Sequence, residues 1–353
     1  MELPRRQILF VLANGGSGGM QAQVRLVASE LASRGNAVTV AVGGGGFAPL
    51  EAVRVVALPP FGRQTVWAFL RELRRTVRTV RPDIVHGHGL RLAPWLAMSG
   101  GRKRVVTCHG LDPHKTARTA RVVRLSHVTV ISCGRGPQQL LARFGVQSEI
   151  IENAFVPAST SHTATEMRQR FALTPNVPLV LYPARFSEQK GHLQLIDALK
   201  TVRNQLKDES PEIVCCGEGP LFAEVQRAAE RANERPLLRC WPHLDDAASW
   251  FGATDFFVLP SRWEGQPLVV LEALSQGLAV VTSTPVGTED LITDHRNGRR
   301  VTTIEEMATV IIEWCTQPSQ RPLDQVFTRQ LLLRHALRAV VDDYDALYQK
   351  LCR

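Results

Sequence analysis

Short apolar runs alternate along the chain with longer stretches in which apolar residues recur every three or four positions. The short runs are nearly continuous, which is typical of parallel strands buried on both faces, and the longer stretches predict amphipathic helices. In the first half the predicted strands cover residues 7–13, 37–42, 53–58, 83–88, 104–109, 127–132 and 148–153. This half therefore predicts an α/β domain whose parallel sheet is covered by helices.

The same pattern begins again after a segment that interrupts it. Residues 156–178 contain three prolines and a Ser/Thr cluster around one short helix, and we interpret them as a linker. Beyond them the predicted strands are 179–184, 212–217, 238–242, 255–260 and 279–283, and the predicted helices are 191–206, 219–233 and 267–276. We predict an α/β fold of two Rossmann-like parallel-sheet domains, 1–157 and 158–334, that face each other across a ligand-binding cleft.

Charge is distributed unevenly between the two halves. Residues 1–160 hold 21 Lys and Arg against 8 Asp and Glu, whereas residues 161–353 hold 21 against 25, which gives the net charge of +9. A basic first half indicates contact with an anionic partner: a membrane surface, a phosphate-bearing substrate or nucleic acid. We do not expect nucleic acid, because no recognised binding motif is visible and the basic segments carry few aromatic residues.

Cysteines and the N-terminus bear on the compartment. The seven cysteines are scattered without a C-x-x-C pair, which is more typical of reduced thiols than of a disulfide framework or a zinc site. The apolar run near the N-terminus is too short for a signal sequence or a membrane span, so we interpret it as a buried strand. We therefore expect a cytoplasmic protein.

Two glutamates, Glu264 and Glu272, enclose an apolar stretch in the sequence EGQPLVVLEALSQG. Pro267 suits the first turn of the predicted helix 267–276, so Glu264 lies in the preceding loop. The loop around Gly265 would leave free backbone N–H groups at the positive end of this helix, which suits an anion. Glu272 lies among apolar neighbours and requires a partner, which sugar or ribose hydroxyls or a structural group could supply.

Two cations stand in the loop after the first strand of the second half, in the sequence PARFSEQKGH. Arg185 lies just beyond the strand, and Lys190 precedes a helix that starts near Gly191. The planar fork of Arg and the point charge of Lys suit a diphosphate. Taken alone, the same loop fits a solvated basic loop equally well.

A glycine-rich loop, NGGSGGM at residues 14–20, joins the first strand to the first helix. It does not fit G-x-G-x-x-G, and no acidic ribose partner follows at the usual distance, which disfavours a dinucleotide-binding dehydrogenase. Glycines here would let a ligand approach the backbone closely; the alternative is a flexible turn.

Three histidines, His86, His88 and His109, follow apolar strands and so lie near the ligand edge of the sheet. We expect no metal there, because no nearby Cys, Asp or Glu completes a coordination shell. A structural role and substrate contact both stay open, and His109 is the leading candidate for contact.

An amphipathic helix at 65–80 carries a run of arginines on its polar side, and a second basic stretch covers 101–124. Packing as a crossover helix on its own sheet explains the apolar stripe but not the excess of arginine. We predict that the two stretches could dock on anionic lipid headgroups.

Taken together, these segments resemble the retaining glycosyltransferases of the GT-B fold, family 4. The resemblance runs through nearly the whole chain and includes VVTCHG, PARFSEQKGH, CCGEGPL and LPSRWEGQPLVVLEALSQGLAVV. Its specific part is the Glu-x7-Glu motif downstream of the Arg…Lys-Gly loop.

The resemblance implies roles for the charged candidates. Arg185 and Lys190 would hold the donor diphosphate and take up the charge of the leaving group. Glu264 would contact hydroxyls of the donor sugar and Glu272 the ribose, and His109 would lie beside the transferred sugar. Catalytic function is thus expected of Arg185, Lys190, His109 and Glu264.

The resemblance also implies a division of labour between the domains. The first domain would bind the acceptor, the second would bind the nucleotide-sugar, and a C-terminal helix, about 335–353, would cross back to the first. Backbone N–H groups around the helix start would contact phosphate, and glycines of the first loop would frame donor and acceptor. The further donor-binding residues are Gly16, Gly18, Gly19, Gly265, Gln266, Pro267, Leu268 and Val269.

Some positions depart from the family pattern. Ala184 stands where Gly is common, and the loop at 286–290 is shorter than usual, which weakens the carry-over of a role to Glu289. Gln266 stands where an apolar residue is frequent, and we expect it to bear on which sugar is accepted.

We therefore predict a retaining, metal-independent hexosyltransferase without a cofactor, since no Asp-x-Asp-type motif stands in a suitable place. It would use a nucleotide-diphosphate-sugar of UDP or GDP type and a hydroxyl of a glycan or lipid-linked acceptor. Bacterial cell-envelope polysaccharide or lipopolysaccharide synthesis, at the inner face of the membrane, would suit the basic first half. The alternatives are a GT-B-fold nucleotide-sugar epimerase and a non-catalytic partner subunit that binds nucleotide-sugar.

Overall fold

The computed structural model describes residues 5–16, 18–159, 161–232, 237–244, 246–283 and 286–353. Ser17 of the glycine loop and residue 233, the predicted end of one helix, lie outside the described residues. The chain forms two compact units, one made of Met1–Ala154 with Arg334–Arg353 and the other of Phe155–Leu333.

Thirteen strands and twelve α-helices make up the regular structure of the described residues. The strands are β1 Gln7–Leu12, β2 Ala37–Gly43, β3 Val53–Leu58, β4 Ile84–His88, β5 Lys103–Cys108, β6 Thr129–Ser132, β7 Glu149–Ile150, β8 Leu179–Pro183, β9 Glu212–Cys216, β10 Leu238–Trp241, β11 Phe257–Leu259, β12 Val280–Thr282 and β13 Gly298–Arg300. The helices are α1 Gly19–Ser33, α2 Val66–Val80, α3 Ala93–Ala97, α4 Thr116–Leu125, α5 Arg135–Ala142, α6 Ala164–Phe171, α7 His192–Leu206, α8 Phe222–Ala232, α9 Leu268–Ser275, α10 Ile304–Thr316, α11 Gln325–Arg334 and α12 Leu337–Cys352.

The first unit is built on a parallel seven-stranded sheet in the order β3-β2-β1-β4-β5-β6-β7. Alternate residues of β1 enter different apolar clusters: Ile8 and Phe10 pack with α1 and α12, whereas Leu9 and Val11 pack with α2, α3 and α4. Both faces of the sheet are therefore buried, as the continuous apolar runs predict. The predicted strands of this half are confirmed, although the last is shorter than predicted.

The C-terminal helix α12 belongs to the first unit. Tyr344, Leu347 and Tyr348 are buried against α1 and the sheet. Arg6 Nη1 donates to Asp345 Oδ1 at 3.0 Å, and both side chains are 4% exposed. Because two buried charges neutralise each other there, the ion pair fixes the helix to the start of β1.

The second unit holds two parallel three-stranded sheets, β10-β9-β8 and β11-β12-β13. They are joined where the Asp255 N–H donates to the Leu179 carbonyl at 2.8 Å, and the Leu179 N–H donates back to Asp255 Oδ2 at 2.8 Å. One apolar cluster fills this unit.

The segment predicted as a linker is instead packed into the second unit. Its one helix, α6, begins at a capping box in which the Thr163 hydroxyl accepts from the Glu166 N–H and the Glu166 carboxylate accepts from the Thr163 N–H. Met167 and Phe171 are buried in the core of that unit. The prolines and polar residues therefore mark a polar surface around a buried helix face.

Among the helices of the described residues, none is both long enough and apolar enough to cross a membrane.

Candidate functional site

The loop between β8 and α7 carries the two predicted cations. Arg185 is exposed and makes no side-chain hydrogen bond or ion pair to any residue that the structure describes. Lys190 ends a short helical turn, Glu188–Lys190, and its Nζ donates to Glu264 Oε1 at 2.6 Å. Residues 74 apart along the chain are thereby joined in one ion pair.

The Lys190–Glu264 pair lies at the border between core and solvent. The Glu264 side chain is 6% exposed and that of Lys190 is 21% exposed. A carboxylate this far from water is costly unless it is paired, and the ammonium group supplies the countercharge. Lys190 has three ammonium hydrogens and Glu264 has two carboxylate oxygens, and the bond between them uses one of each. The remaining hydrogens and the second oxygen can bind a polar ligand.

Several hydrogen bonds fix the backbone on either side of this pair. The Tyr182 hydroxyl donates to the Lys190 carbonyl at 2.7 Å. Gln189 Nε2 donates to the Trp263 carbonyl at 2.9 Å, and the Arg262 N–H donates to the Gln189 carbonyl at 2.7 Å. The loop after β8 and the loop after β11 are thus held together as one unit, a role that the sequence analysis did not assign to Tyr182 or Gln189.

Gly191 is required by a close backbone approach at the start of α7. Its φ is 66°, in the left-handed region, and a Cβ at this position would lie 1.9 Å from the carbonyl oxygen of Pro260. Any larger residue would push α7 away from the end of β11, and Lys190 would move with it. The glycine therefore positions the lysine.

The apolar stretch after Glu264 forms the helix α9, Leu268–Ser275. Pro267 is its N-cap residue, not a residue of the first turn as predicted, and it leaves the N–H groups of Leu268 and Val269 without helical acceptors. At the other end the Leu278 N–H donates to the Ala273 carbonyl and the Gly277 N–H to the Leu274 carbonyl, a Schellman motif. The prediction of Gly277 beyond the helix end is confirmed.

Glu272 lies in the second turn of α9 and is partly buried among apolar neighbours. Burial raises the pKa of its carboxyl from 4.5 to about 7. No side-chain hydrogen bond or ion pair to it is found within the described ranges. An acceptor in this state is suited to hydroxyl donors from a ligand, because they would stabilise the charged form.

A second loop packs against the backbone of Glu264. Gly287 has a φ of 91°, and a Cβ there would lie 2.6 Å from the Glu264 carbonyl oxygen and 2.8 Å from that of Gly265. The Gly287 N–H donates to the Glu289 carboxylate, whose pKa is raised by burial. Glu289 is therefore placed close to the Glu264 loop, and Gly287 is a positioning residue that the sequence analysis missed. The sequence offers one indication of the role of Gly287, namely that a glycine stands in a loop that follows a predicted strand.

In the first unit His88 ends β4 and His109 directly follows β5, whereas His86 lies within β4 and not at the ligand end of the strand as predicted. His86 is satisfied within the fold, since Nδ1 bonds the Tyr348 hydroxyl at 2.6 Å and Nε2 the Thr107 hydroxyl at 2.7 Å. His88 Nδ1 and His109 Nε2 are 2.8 Å apart, so one must donate while the other accepts. Burial lowers the pKa of His86 to about 3 and that of His109 to about 4, so both rings are neutral near pH 7.

These contacts separate the histidines. His86 has a structural role. His109 is only half-buried, follows the carboxyl end of β5, and can contact a ligand. The part of the chain that the structure describes contains no group of three or more His, Cys, Asp and Glu arranged for a metal ion.

The glycine loop lies at the carboxyl end of β1, beside the end of β4 that carries His88. Gly16 is exposed, Gly18 is the N-cap residue of α1, and Gly19 is the first residue of that helix. Asn14 Oδ1 accepts from Gln21 Nε2 at 2.6 Å, which closes the loop onto α1. The exposed Gly16, Gly18 and Gly19 therefore lie at the end of the sheet where parallel sheets bind a ligand.

Two Rossmann-like units, the first with a glycine loop and the second with charged loops at the strand ends, are the arrangement of the GT-B fold. A sequence model described as Glycosyl transferases group 1 matches residues 177–317, and one described as Glycosyltransferase Family 4 matches residues 17–159. The chain belongs to the family 4 glycosyltransferases.

Individual relatives are similar over part of the chain. A putative teichuronic acid biosynthesis glycosyltransferase, TuaC of Bacillus subtilis, is 26% identical over 257 residues, which is 67% of this chain and 61% of the relative. An Escherichia coli galactosyltransferase that acts on GlcNAc-diphosphoundecaprenol is 33% identical over 118 residues, 32% of this chain and 30% of the relative. The alignments thus span less than two thirds of these relatives.

Among solved structures, Anabaena HepE in complex with UDP and glucose has a similar fold. Its TM-score is 0.82 at 18% identity, and the match covers 98% of this chain and 100% of HepE. At this identity the likeness concerns the fold.

Proposed function

We propose that this protein transfers a hexose-type sugar from a nucleotide-diphosphate-sugar, of UDP or GDP type, to a hydroxyl of a glycan or lipid-linked acceptor, with retention of the anomeric configuration. The observation that carries the proposal is the ion pair between Lys190 and Glu264, close in sequence to the N–H groups at the start of α9 that have no acceptor within the helix. A cation, a carboxylate and a positive helix end are adjacent there, as a sugar diphosphate requires.

Each group has a role in the proposed reaction. Cleavage of the sugar–phosphate bond places negative charge on the departing diphosphate and positive charge on the sugar. Arg185, Lys190 and the N–H groups of Leu268 and Val269 stabilise the first. Since these groups supply the positive charge, the proposed reaction needs no metal ion.

The carboxylates bind the rest of the donor. Glu264 accepts hydrogen bonds from hydroxyls of the sugar, while its ion pair with Lys190 supplies the countercharge. Glu272, whose acceptor oxygens have no partner in the described residues, accepts from the ribose. His109, a neutral imidazole, contacts the transferred sugar from the first unit. Retention then follows if the departing phosphate assists deprotonation of the acceptor on the same face.

The biological setting is proposed from the relatives and from charge. TuaC is described by its part in teichuronic acid biosynthesis, and the E. coli relative by a lipid-linked acceptor. HepE binds UDP and glucose. A basic first half suits a peripheral position on an anionic membrane, so we propose a role in cell-envelope polysaccharide or lipopolysaccharide synthesis at its cytoplasmic face.

Turnover with an acceptor mixture tests the proposal. Purified protein is incubated with UDP- or GDP-hexoses and a panel of glycan and lipid-linked acceptors. Release of nucleoside diphosphate is measured, and the anomeric configuration of the product is read by NMR. Acceptor-dependent release with an unchanged configuration is expected. Conversion of the donor sugar without any acceptor would indicate an epimerase, and no conversion with any donor would indicate a binding subunit.

A further inference from the structure

A groove of about 440 Å³ lies on the first unit. It is formed by the loop that follows β3, the helical turn Leu90–Leu92 that follows β4, and the helices α3 and α4. These segments follow the carboxyl ends of β3, β4 and β5 of the same parallel sheet, the end at which open α/β sheets bind ligands. Its volume is that of an ordinary small-molecule site.

The floor of the groove is apolar. Phe61, Leu90, Trp95 and Val122 line it, and the rings of Phe61 and Trp95 meet edge to face with centroids 6.2 Å apart. Val122 is 40% exposed, and Trp67, which packs edge to face on Trp95, is 67% exposed. The apolar surface therefore continues from the groove to the outside of the unit, as a chain longer than the groove would need.

The rim of the groove is cationic. Arg63, Arg91 and Arg118 line it, and no carboxylate is among the described residues that do. None of the three pairs with an acidic side chain in the described part of the chain; the Arg91 guanidinium lies 5.6 Å from the centroid of the Phe61 ring. Three unpaired arginines around one concave surface are complementary to a multiply charged anion, and the guanidinium fork matches phosphate oxygens.

We propose that this groove binds an amphiphile with an apolar chain and a phosphate or diphosphate head group: the lipid part of a membrane-derived acceptor. The chain lies along Phe61, Trp95 and Val122, and the arginines hold the phosphate. A soluble phosphate would leave the aromatic floor uncovered, and an uncharged chain would leave the arginines unpaired. The inference rests on the proposed function in that it gives the lipid-linked acceptor a place.

Farnesyl diphosphate is a water-soluble probe that combines both features. Its binding to the full chain is measured by intrinsic tryptophan fluorescence, since Trp95 lies in the groove. Saturable binding is expected, and farnesol and inorganic diphosphate should each bind at least about tenfold more weakly, because each lacks one half of the interaction.

Matched variants on one helix localise the site. Arg118→Gln and Val122→Asp should each weaken farnesyl diphosphate binding by about tenfold or more. Arg121→Gln and Leu125→Asp, at exposed positions of the same α4 that do not line the groove, should leave it unchanged. Equal losses in both pairs, equal affinity for inorganic diphosphate, or binding only to anionic vesicles would overturn the proposal.

The test is independent of donor chemistry. Lipid binding is measured without a nucleotide-sugar, and Lys190→Ala should leave it intact. If the unchanged protein bound farnesyl diphosphate but turned over no nucleotide-sugar, the proposed function alone would be refuted. If the protein turned over soluble acceptors but did not bind farnesyl diphosphate, only the proposed lipid site in the groove would be refuted.

Discussion

At the scale of single residues, Lys190 has two roles. It neutralises the carboxylate of Glu264, and its positive charge stabilises the proposed diphosphate leaving group. We expect Lys190→Ala to lower turnover by about 10²–10³-fold or more, as loss of a preorganised electrostatic contact does. It should also lower the free energy of unfolding by about 1–3 kcal/mol, because Glu264 stays buried without a partner.

The control for this variant is Lys200→Ala. Lys200 also pairs with a carboxylate, Asp197 at 2.7 Å, but both side chains are about half exposed. Its removal should change stability by less than about 1 kcal/mol and leave turnover unchanged. Steady-state kinetics and urea denaturation check both expectations; equal kinetics in the two variants would contradict the role of Lys190.

Glu272 predicts a pH dependence with a definite sign. Its pKa is raised from 4.5 to about 7, so between these values the folded state binds more protons than the unfolded state. Burial of this carboxyl therefore costs nothing well below pH 4.5, costs increasingly as the pH rises, and reaches a plateau above about 7.

Glu272→Gln removes the ionisation, so it should stabilise the protein at pH 8 by about 1–3 kcal/mol more than at pH 4.5. Urea denaturation of both proteins across this range measures the difference. A constant difference at every pH would show that the carboxyl titrates normally. The same variant should weaken nucleotide-sugar binding, because the amide is a poorer acceptor for hydroxyl donors than the carboxylate is.

At the scale of elements, the start of α7 depends on Gly191. Gly191→Ala would bring a Cβ within 1.9 Å of a backbone carbonyl, so α7 must shift and Lys190 must leave Glu264. We expect a loss of about 3 kcal/mol or more and a fall in turnover, since clash adds to left-handed strain.

Gly277→Ala is the matched control. Its φ is 76°, close to that of Gly191, but the nearest atom to an added Cβ is 3.8 Å away. It should cost about 1–2 kcal/mol from backbone conformation alone and leave turnover unchanged. If the two variants were equally stable, the close approach to Pro260 would not be the cause.

The helix α12 is held by buried charge. Asp345 pairs with Arg6, and its second oxygen accepts from Arg34 at 3.1 Å. Asp345→Ala leaves two cations without their shared anion and should destabilise the protein by about 3–5 kcal/mol. Lys350→Ala breaks only the exposed pair with Glu149 and should cost less than about 1 kcal/mol, as measured by thermal denaturation. A similar loss of stability in the two variants would contradict the conclusion that the buried ion pair holds α12 in place.

Elements were more predictable than the contacts between them. The run around β1 predicts a strand because both faces are buried, and the stripe of α2 predicts a helix because one face is. The contact of Lys190 with Glu264 joins residues 74 apart, and no local pattern encodes that distance. The same holds for the Tyr182 hydroxyl and for Gly287, whose roles depend on which loops meet. The prediction of a linker at 156–178 is wrong because polar residues and prolines there outnumber the few apolar residues by which α6 packs into the core.

At the scale of the whole molecule, the excess of Lys and Arg over Asp and Glu is confined to residues 1–160. Arg71, Arg75 and Arg78 are exposed on α2. We expect the protein to sediment with vesicles that contain anionic lipid and to be released by salt, since each basic residue near the surface contributes about 1 kcal/mol.

Replacing these three arginines by Gln should reduce that binding by about tenfold or more. A control with three exposed arginines of the second unit replaced, Arg227, Arg231 and Arg329, should bind vesicles as the unchanged protein does. Equal losses in both variants would show that net charge alone matters and that the α2 face does not dock.

The central claim, that the loops around Lys190 and Glu264 bind a nucleotide-sugar, is tested most directly by a thermal-shift panel. UDP-, GDP-, ADP- and CMP-sugars are added to the unchanged protein, to Lys190→Ala and to Lys200→Ala. Because a ligand that binds only the folded state raises the unfolding temperature, we expect one donor class to stabilise the unchanged protein and Lys200→Ala but not Lys190→Ala. Stabilisation by none of the four, or equal stabilisation of all three proteins, would contradict the claim.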